Sequence, residues 1–208
     1  LYYRDGSTEL GSMYEVNRTP VPLESLPDYV GNAVVASEDR TFYSNSGIDL
    51  GGIARAVVNN IRGGARQGGS TLTQQYVENY YLGTTTDYIG KVKEAVLAVK
   101  VDRNSSKQDI LENYLNTIYF GRGAYGIESA AQNYFGIPAA QLSLDQAALL
   151  TAVIPAPSAW DPAVDPERAA QRFDRVINRM LEDGYITADQ AAGATMPATI
   201  EYVLSLIH

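Results

Sequence analysis

Along this chain the apolar positions recur at helical rather than strand spacing. Leu26, Tyr29, Val30, Ala33 and Val34 share one helical face that leads into Ser37-Glu38-Asp39. Ile53, Ala56, Val57 and Ile61 predict a short amphipathic helix between Gly51-Gly52 and Gly63-Gly64. Those glycines leave the region free to move or to hug a ligand. Gly68-Gly69-Ser70 is predicted to open a helix over 71–82 with Ser70 as its N-cap. Val92, Ala95, Val96 and Val99 make the next helix. The clearest pattern runs from Asn104 to Phe120, where Ile110, Leu111, Tyr114, Leu115, Ile118 and Tyr119 keep helical spacing and Gly121 and Gly123 are predicted to end it. Further helices are expected over Ile127 to Phe135, over Ser143 to Val153, and over Arg168 to Glu182. The last carries Ala169, Phe173, Val176, Ile177, Met180 and Leu181 as a stripe. Residues 1–24 read instead as an extended entry segment, broken by Asp5-Gly6, Pro20 and Pro22. The expected class is mainly α.

Composition narrows the chemistry. The chain has 208 residues, 45% of them hydrophobic, which suits one large domain or one domain with a small lobe. Cysteine is absent and the single histidine is His208, the last residue. A disulfide framework, a thiolate nucleophile, a Ser-His-Asp triad and an HExxH zinc site are thereby excluded. Acid–base work must fall to carboxylates, Lys or Tyr. The net charge of −8, from 16 basic and 24 acidic side chains, argues against nucleic acid as a partner but leaves room for a local phosphate site. The longest apolar run, Ala147 to Pro157, is broken by Thr151 and Pro155 and falls far short of the ~20 residues that span a bilayer. The start shows no signal peptide and opens on Leu1, so a mature or excised fragment is expected, with any anchor outside it.

Four constellations could carry chemistry. Glu38-Asp39-Arg40-Thr41-Phe42 ends an apolar helix; it is either an acidic helix end neutralised by Arg40 or a carboxylate held near apolar surface as a general base. Spacing alone favours the former. Arg66-Gln67-Gly68-Gly69-Ser70-Thr71-Leu72-Thr73-Gln74-Gln75 joins glycines to a hydroxyl-rich helix start, which suits either a tight helix entry or a phosphate seat. It lacks the Lys of a Walker A loop. Lys91-x-x-Glu94 has the i, i+3 spacing of ordinary surface ion pairs. In Lys107 to Gly121 most apolar residues belong to the core, and Asn116 reads best as a structural amide.

The order of these blocks carries more than any one of them. Glu38-Asp39-x-x-Phe42, Gly68-Gly69-Ser70-Thr71-Leu72-Thr73-Gln74-Gln75, Lys91-x-x-Glu94 and Ile110-Leu111-x-x-Tyr114-Leu115-Asn116-x-Ile118-Tyr119-Phe120-Gly121 together resemble the peptidoglycan glycosyltransferases of class A penicillin-binding proteins, glycosyltransferase family 51. Gly123-Ala124-Tyr125-Gly126-Ile127 with Tyr134-Phe135-Gly136, and Ala147-Ala148-Leu149-Leu150 through Pro155-x-Pro157-Ser158, match further family blocks, so the resemblance spans about residues 24 to 187.

The resemblance implies a lysozyme-like glycosyltransferase fold over residues 25–190. It has a large helical lobe, a smaller membrane-facing jaw near 44–66 and a C-terminal tail over 191–208. The implied substrates are lipid II and the growing lipid-linked glycan, joined by inverting β-1,4 transfer with loss of undecaprenyl diphosphate. Glu38 would be the general base. Glu94 would be the second catalytic carboxylate, near the diphosphate, and the candidate ligand for a divalent cation, Mg²⁺ or Mn²⁺; no organic cofactor is implied. Ser70, Thr71, Gln75, Lys91, Asp39, Arg66 and Arg122 would line the substrate site. The implied place is the outer face of the bacterial cytoplasmic membrane, held by an N-terminal transmembrane helix absent from this chain, with a transpeptidase domain following in a fuller protein. The chain departs from the family pattern at Asn45, where His is usual, and at Glu78 and Gly90, where basic residues are usual. Arg66, Lys93, Arg103 or Arg122 are the candidates to replace those cations. Two other readings compete: a lytic muramidase, which has no need of a phosphate-type loop with Lys91, and a non-catalytic glycan-binding scaffold, which has no need of both glutamates.

Overall fold

A computed structural model describes residues 19–49, 51, 69–82 and 88–201. The expected jaw helix around Ile53 to Ile61 therefore lies outside the described residues, as does Arg66. The described part is built almost wholly of helices. These are α1 (Asp28–Glu38), α2 (Leu72–Val77) continuing into a π-helical turn (Glu78–Leu82), α3 (Tyr88–Asn104), α4 (Lys107–Leu115), α5 (Ile127–Phe135), α6 (Leu144–Val153), α7 (Pro166–Glu182) and α8 (Ala188–Gly193). A small antiparallel hairpin, β1 (Tyr119–Gly121) with β2 (Ala124–Tyr125), separates α4 from α5.

Helix α1 is the axis of the fold because it is apolar almost all round, the pattern of a helix buried on more than one side. Val30, Val34 and Val35 join a core with Leu72, Ile110, Leu111, Tyr114 and Ile127. Its small residues Ala33 and Ala36 face a second core made by Ala148, Leu149 and Ala152 of α6 and by Phe173, Val176 and Met180 of α7. Small side chains on that side let α6 and α7 approach closely. Gly31 does the same for α4, since a Cβ there would stand 3.0 Å from Leu111 Cδ2.

Helix starts follow local chemistry. Thr71, Ser106, Ser143 and Thr187 each cap a helix with a reciprocal bond from the residue three positions on, and Asp165 caps α7 ahead of Pro166. Three sequence expectations are corrected here. The cap of α2 is Thr71, one residue beyond Ser70, because Gln74 stands at the position that completes the box. The single helix expected from Asn104 to Phe120 is the end of α3, then α4, then a strand. Ser106 breaks it at one end, and at the other Gly121, Arg122 and Gly123 take positive φ values of 90°, 51° and 69° to turn the hairpin. On α3, Val92 and Val96 are exposed, whereas Glu94 and Ala98 are fully buried. A carboxylate has displaced valine from the inward face.

Candidate active site

Glu38 is the last residue of α1, carried into the interior by the helix that both cores grip. Burial pushes its carboxyl pKa up, and this outweighs a hydrogen bond from Ser37, the charge of Arg172, a bond from Gln75 and the charge of Arg179, all of which pull it down. Ser37 Oγ donates to Glu38 Oε1 at 3.0 Å, and the Arg179 guanidinium donates to the Ser37 carbonyl. Gln75 in turn accepts from the Tyr114 hydroxyl at 2.9 Å. Tyr114 is fully buried, and burial together with the neighbouring Glu38 charge raises its pKa well above the ordinary phenol range. Glu38 is thus a partly buried acid held by neutral donors, with two cations at a remove. That arrangement suits a base rather than a structural ion-pair partner.

Asp39 does something different. Its carboxylate accepts from Thr41 N and Oγ1 at 3.1 and 2.8 Å, from Asn45 Nδ2 at 2.9 Å and from Leu72 N at 3.1 Å. It ties the turn after α1 to the start of α2. Asn45 completes the tie by accepting from Gly47 N and from Lys107 Nζ.

The second carboxylate lies on α3. Glu94 is fully buried, and its Oε2 accepts from Lys91 Nζ at 2.6 Å, while Lys91 Nζ also meets Glu78 Oε2 at 3.1 Å. Burial alone would lower the Lys91 pKa, but the bonds and charges of Glu94 and Glu78 outweigh it and raise the ammonium above its ordinary value. Gln74 Nε2 reaches Glu94 Oε1 at 3.4 Å. Consecutive glutamines of α2 therefore face the two acids, Gln75 towards Glu38 and Gln74 towards Glu94.

Several site expectations change. The phosphate seat expected at the α2 entry is already filled from within: Thr71 N bonds Gln74 Oε1, Leu72 N bonds Asp39 and Gln74 N bonds Thr71 Oγ1. Thr71 is buried and its hydroxyl donates to the Gly47 carbonyl at 2.7 Å, so it builds the site rather than lining it; the same holds for Asp39. Ser70 remains exposed. Arg122 is corrected outright. It is buried in a bidentate pair with Asp161 (2.7 and 2.7 Å), donates to Ile200 O and Thr199 Oγ1, and lies over the Tyr134 ring. Its charge is consumed internally, and it cannot replace a missing phosphate-facing cation. Lys93 and Arg103 are exposed on α3. A divalent cation needs several oxygen ligands. Among the described residues no three acidic side chains gather to hold one, and an ammonium stands between Glu94 and Glu78. Glu94 and Glu78 are the described acids that would hold Mg²⁺ or Mn²⁺, which uses one or two carboxylates together with substrate phosphates and water.

Arg172 and Arg179 were not singled out by motif or periodicity. The available signal was Arg168, Arg172, Arg175 and Arg179 at spacings of four, three and four, one helical face of like charge in an acidic chain.

Two glutamates from different helices, faced by the adjacent Gln75 and Gln74 of α2 and with no histidine beside them among the described residues, set out a site whose acid–base chemistry rests on carboxylates. The family model described as Transglycosylase matches residues 6–181. The chain belongs to that family, as a peptidoglycan glycosyltransferase domain of the kind carried by class A penicillin-binding proteins. It is 47% identical over 190 residues to penicillin-binding protein 1A of Mycobacterium tuberculosis, covering 89% of this chain and 23% of that protein. It is 49% identical over 183 residues to penicillin-binding protein 1A of Aquifex aeolicus (87% and 25%) and 39% identical to penicillin-binding protein 1F of Bacillus subtilis (89% and 26%). The crystal structure of penicillin-binding protein 1A from Haemophilus influenzae matches with a TM-score of 0.55 at 24% identity, over 92% of this chain and 20% of that one; it supports the fold. The chain spans about a quarter of the length of the curated relatives it matches.

Proposed function

We propose that the chain polymerises lipid II into β-1,4-linked glycan strands, with Glu38 as general base. The observation that carries this reading is the asymmetry of the two acids: Glu38 is partly buried beside neutral donors with a raised pKa, and Glu94 is fully buried and paired to Lys91, whose side chain is 45% exposed. In this reaction the Glu38 carboxylate takes the proton of the acceptor's 4-hydroxyl. The acceptor oxygen forms a bond to the anomeric carbon of the lipid-linked donor, and the bond from that carbon to the diphosphate oxygen breaks on the opposite face. The electron pair leaves with the diphosphate, whose developing charge Lys91 meets. Glu94, with Glu78, orients the ammonium that does so. No step is assigned to a metal.

Access to a lipid-linked substrate calls for a membrane-facing surface. On α3, Ile89, Val92 and Val96 are 66%, 64% and 66% exposed, Tyr80 and Tyr81 of the π-helical turn before it are exposed as well, and Lys93 and Lys100 flank the valines in sequence. Apolar residues fringed by lysine at helical spacing suit an anionic lipid interface. Among the described residues no helix is long and apolar enough to cross a membrane. We assign the chain to the outer face of the bacterial cytoplasmic membrane, with the anchor and a transpeptidase domain in the remainder of a fuller protein. The test is to incubate the chain with purified lipid II and separate the products. Polymer with released undecaprenyl diphosphate is expected. Cleavage of preformed glycan without polymer would replace this reading by a muramidase, and neither product would leave a scaffold.

A further inference from the structure

The loop before α7 is held more rigidly than joining two helices requires. Trp160 N bonds the Ala156 carbonyl at 2.9 Å, and the next residue, Asp161, is the buried partner of Arg122. Val164 N and Asp165 N both bond the Asp161 carbonyl. What this framework presents is the chain's single tryptophan. Guanidiniums of α7 fix the plane of its ring, with Arg172 Cζ 4.7 Å and Arg168 Cζ 5.5 Å from the ring centroid. Beside the ring lies an open cleft of about 440 Å³ lined by Ala159, Trp160, Asp165, Glu167, Arg168 and Gln171. The Trp160 ring links the cleft to Arg172, whose charge acts on Glu38 and whose Nε is buried with no hydrogen-bond partner among the described residues.

The lining selects the ligand. An apolar ligand would strip water from Asp165, Glu167, Arg168 and Gln171 without returning hydrogen bonds. A small anion would meet two carboxylates for one guanidinium, although the Asp165 carboxylate is partly engaged in capping Arg168 N at 2.9 Å. A pyranose suits both features: its C–H face packs on an aromatic ring, and its equatorial hydroxyls find acceptors in the acids and donors in the amide and guanidinium. We propose that the Trp160 cleft is a saccharide subsite, holding a sugar ring of the glycan on which Glu38 acts. It rests on the polymerase reading for which glycan is bound, and on the cleft itself for the sugar.

Trp160 reports on its own site, because no other tryptophan contributes to the emission of this chain. Chitotetraose titrated into the 208-residue chain should change that emission saturably, and inorganic diphosphate at equal concentration should not. By calorimetry, Trp160→Ala should weaken chitotetraose binding about tenfold, the scale of one lost aromatic contact. Trp160→Phe should recover most of the loss. Gln171→Ala, an exposed change on α7, should weaken binding without touching the ring. With lipid II, these losses should enter KM rather than kcat. A chain that polymerises lipid II yet shows neither heat nor emission change with chitotetraose would overturn the subsite and leave the polymerase standing. A response to diphosphate in place of chitotetraose would overturn it in favour of an anion site. Saturable chitotetraose binding without polymerisation would uphold the subsite and remove the polymerase reading instead.

Discussion

Two ion pairs in this molecule look alike on paper and do different work. Arg122 and Asp161 meet in a bidentate pair with side chains 0% and 4% exposed, and every neighbour that Arg122 is seen to contact belongs to the protein's own frame. Lys91 and Glu94 meet at 2.6 Å, but the lysine is 45% exposed while the glutamate is wholly enclosed. The first pair is closed at both ends, so its charge is spent on holding the Trp160 loop to the hairpin and the C-terminal segment. The second is closed at one end. Its buried carboxylate, with Glu78, fixes the ammonium of a side chain that is 45% exposed, within reach of a phosphate arriving from solvent. Position in the fold, rather than residue type, separates a structural cation from a binding one.

Breaking the pairs should separate these roles. Arg122→Ala strands a buried carboxylate and should cost roughly 3–5 kcal/mol of stability, read by denaturant unfolding. Lys91→Ala unpairs the enclosed Glu94 carboxylate and should also lower the unfolding midpoint, but by less than Arg122→Ala, because the lysine side of this pair is reached by water. It should nevertheless lower polymerisation about 10²-fold, as loss of one preorganised charge does. Equal loss of stability in the two variants would erase the distinction.

Arg172→Gln sharpens the contrast from the side of Glu38. The groups facing that carboxylate are Ser37, Arg172, Gln75 and Arg179, and removing the Arg172 charge removes a stabiliser of the ionised form. The acid limb of the polymerisation rate should therefore move to higher pH. Stability follows the same sign. Because the folded pKa of Glu38 is raised, the folded state binds the proton more readily than the unfolded state. Its burial cost is absent below the ordinary glutamate range, grows as pH rises through it, and is complete only above the raised folded pKa. Glu38→Gln should accordingly raise the melting temperature at neutral pH, and the gain should shrink as pH falls through the raised pKa. The smallest effect is expected at the membrane face: Val92→Ser with Val96→Ser should weaken association with anionic liposomes by roughly tenfold or less while the fold persists, because both side chains are exposed.

Much of the frame was legible in the sequence. The helices at Asp28–Glu38, Ile127–Phe135, Leu144–Val153 and Pro166–Glu182 follow the apolar spacing closely. The break at Ser106 and the hairpin after Leu115 were hidden because Ile118 and Tyr119 stay in phase with the helix before them. The true α2 cap was readable: Thr71 has Gln74 three residues on, whereas Ser70 has Thr73. In the site, Glu38, Lys91, Glu94 and Gln75 were visible as residues, but not that Asp39 and Thr71 turn inward. Those roles depend on hydrogen bonds between segments far apart in the chain. Arg122 misled for the same reason, since Asp161 and Thr199, which consume its charge, are distant in sequence.

The central claim is that Glu38 supplies the base. It is tested most directly by polymerisation of lipid II against pH for the wild type and Glu38→Gln. The wild type should lose rate on an acid limb lying above the ordinary glutamate range, in keeping with a partly buried carboxyl. The variant should bind lipid II yet run about 10²–10⁴-fold slower, with that limb gone. A variant that polymerises at near wild-type rate, or that keeps the same acid limb, would contradict the account.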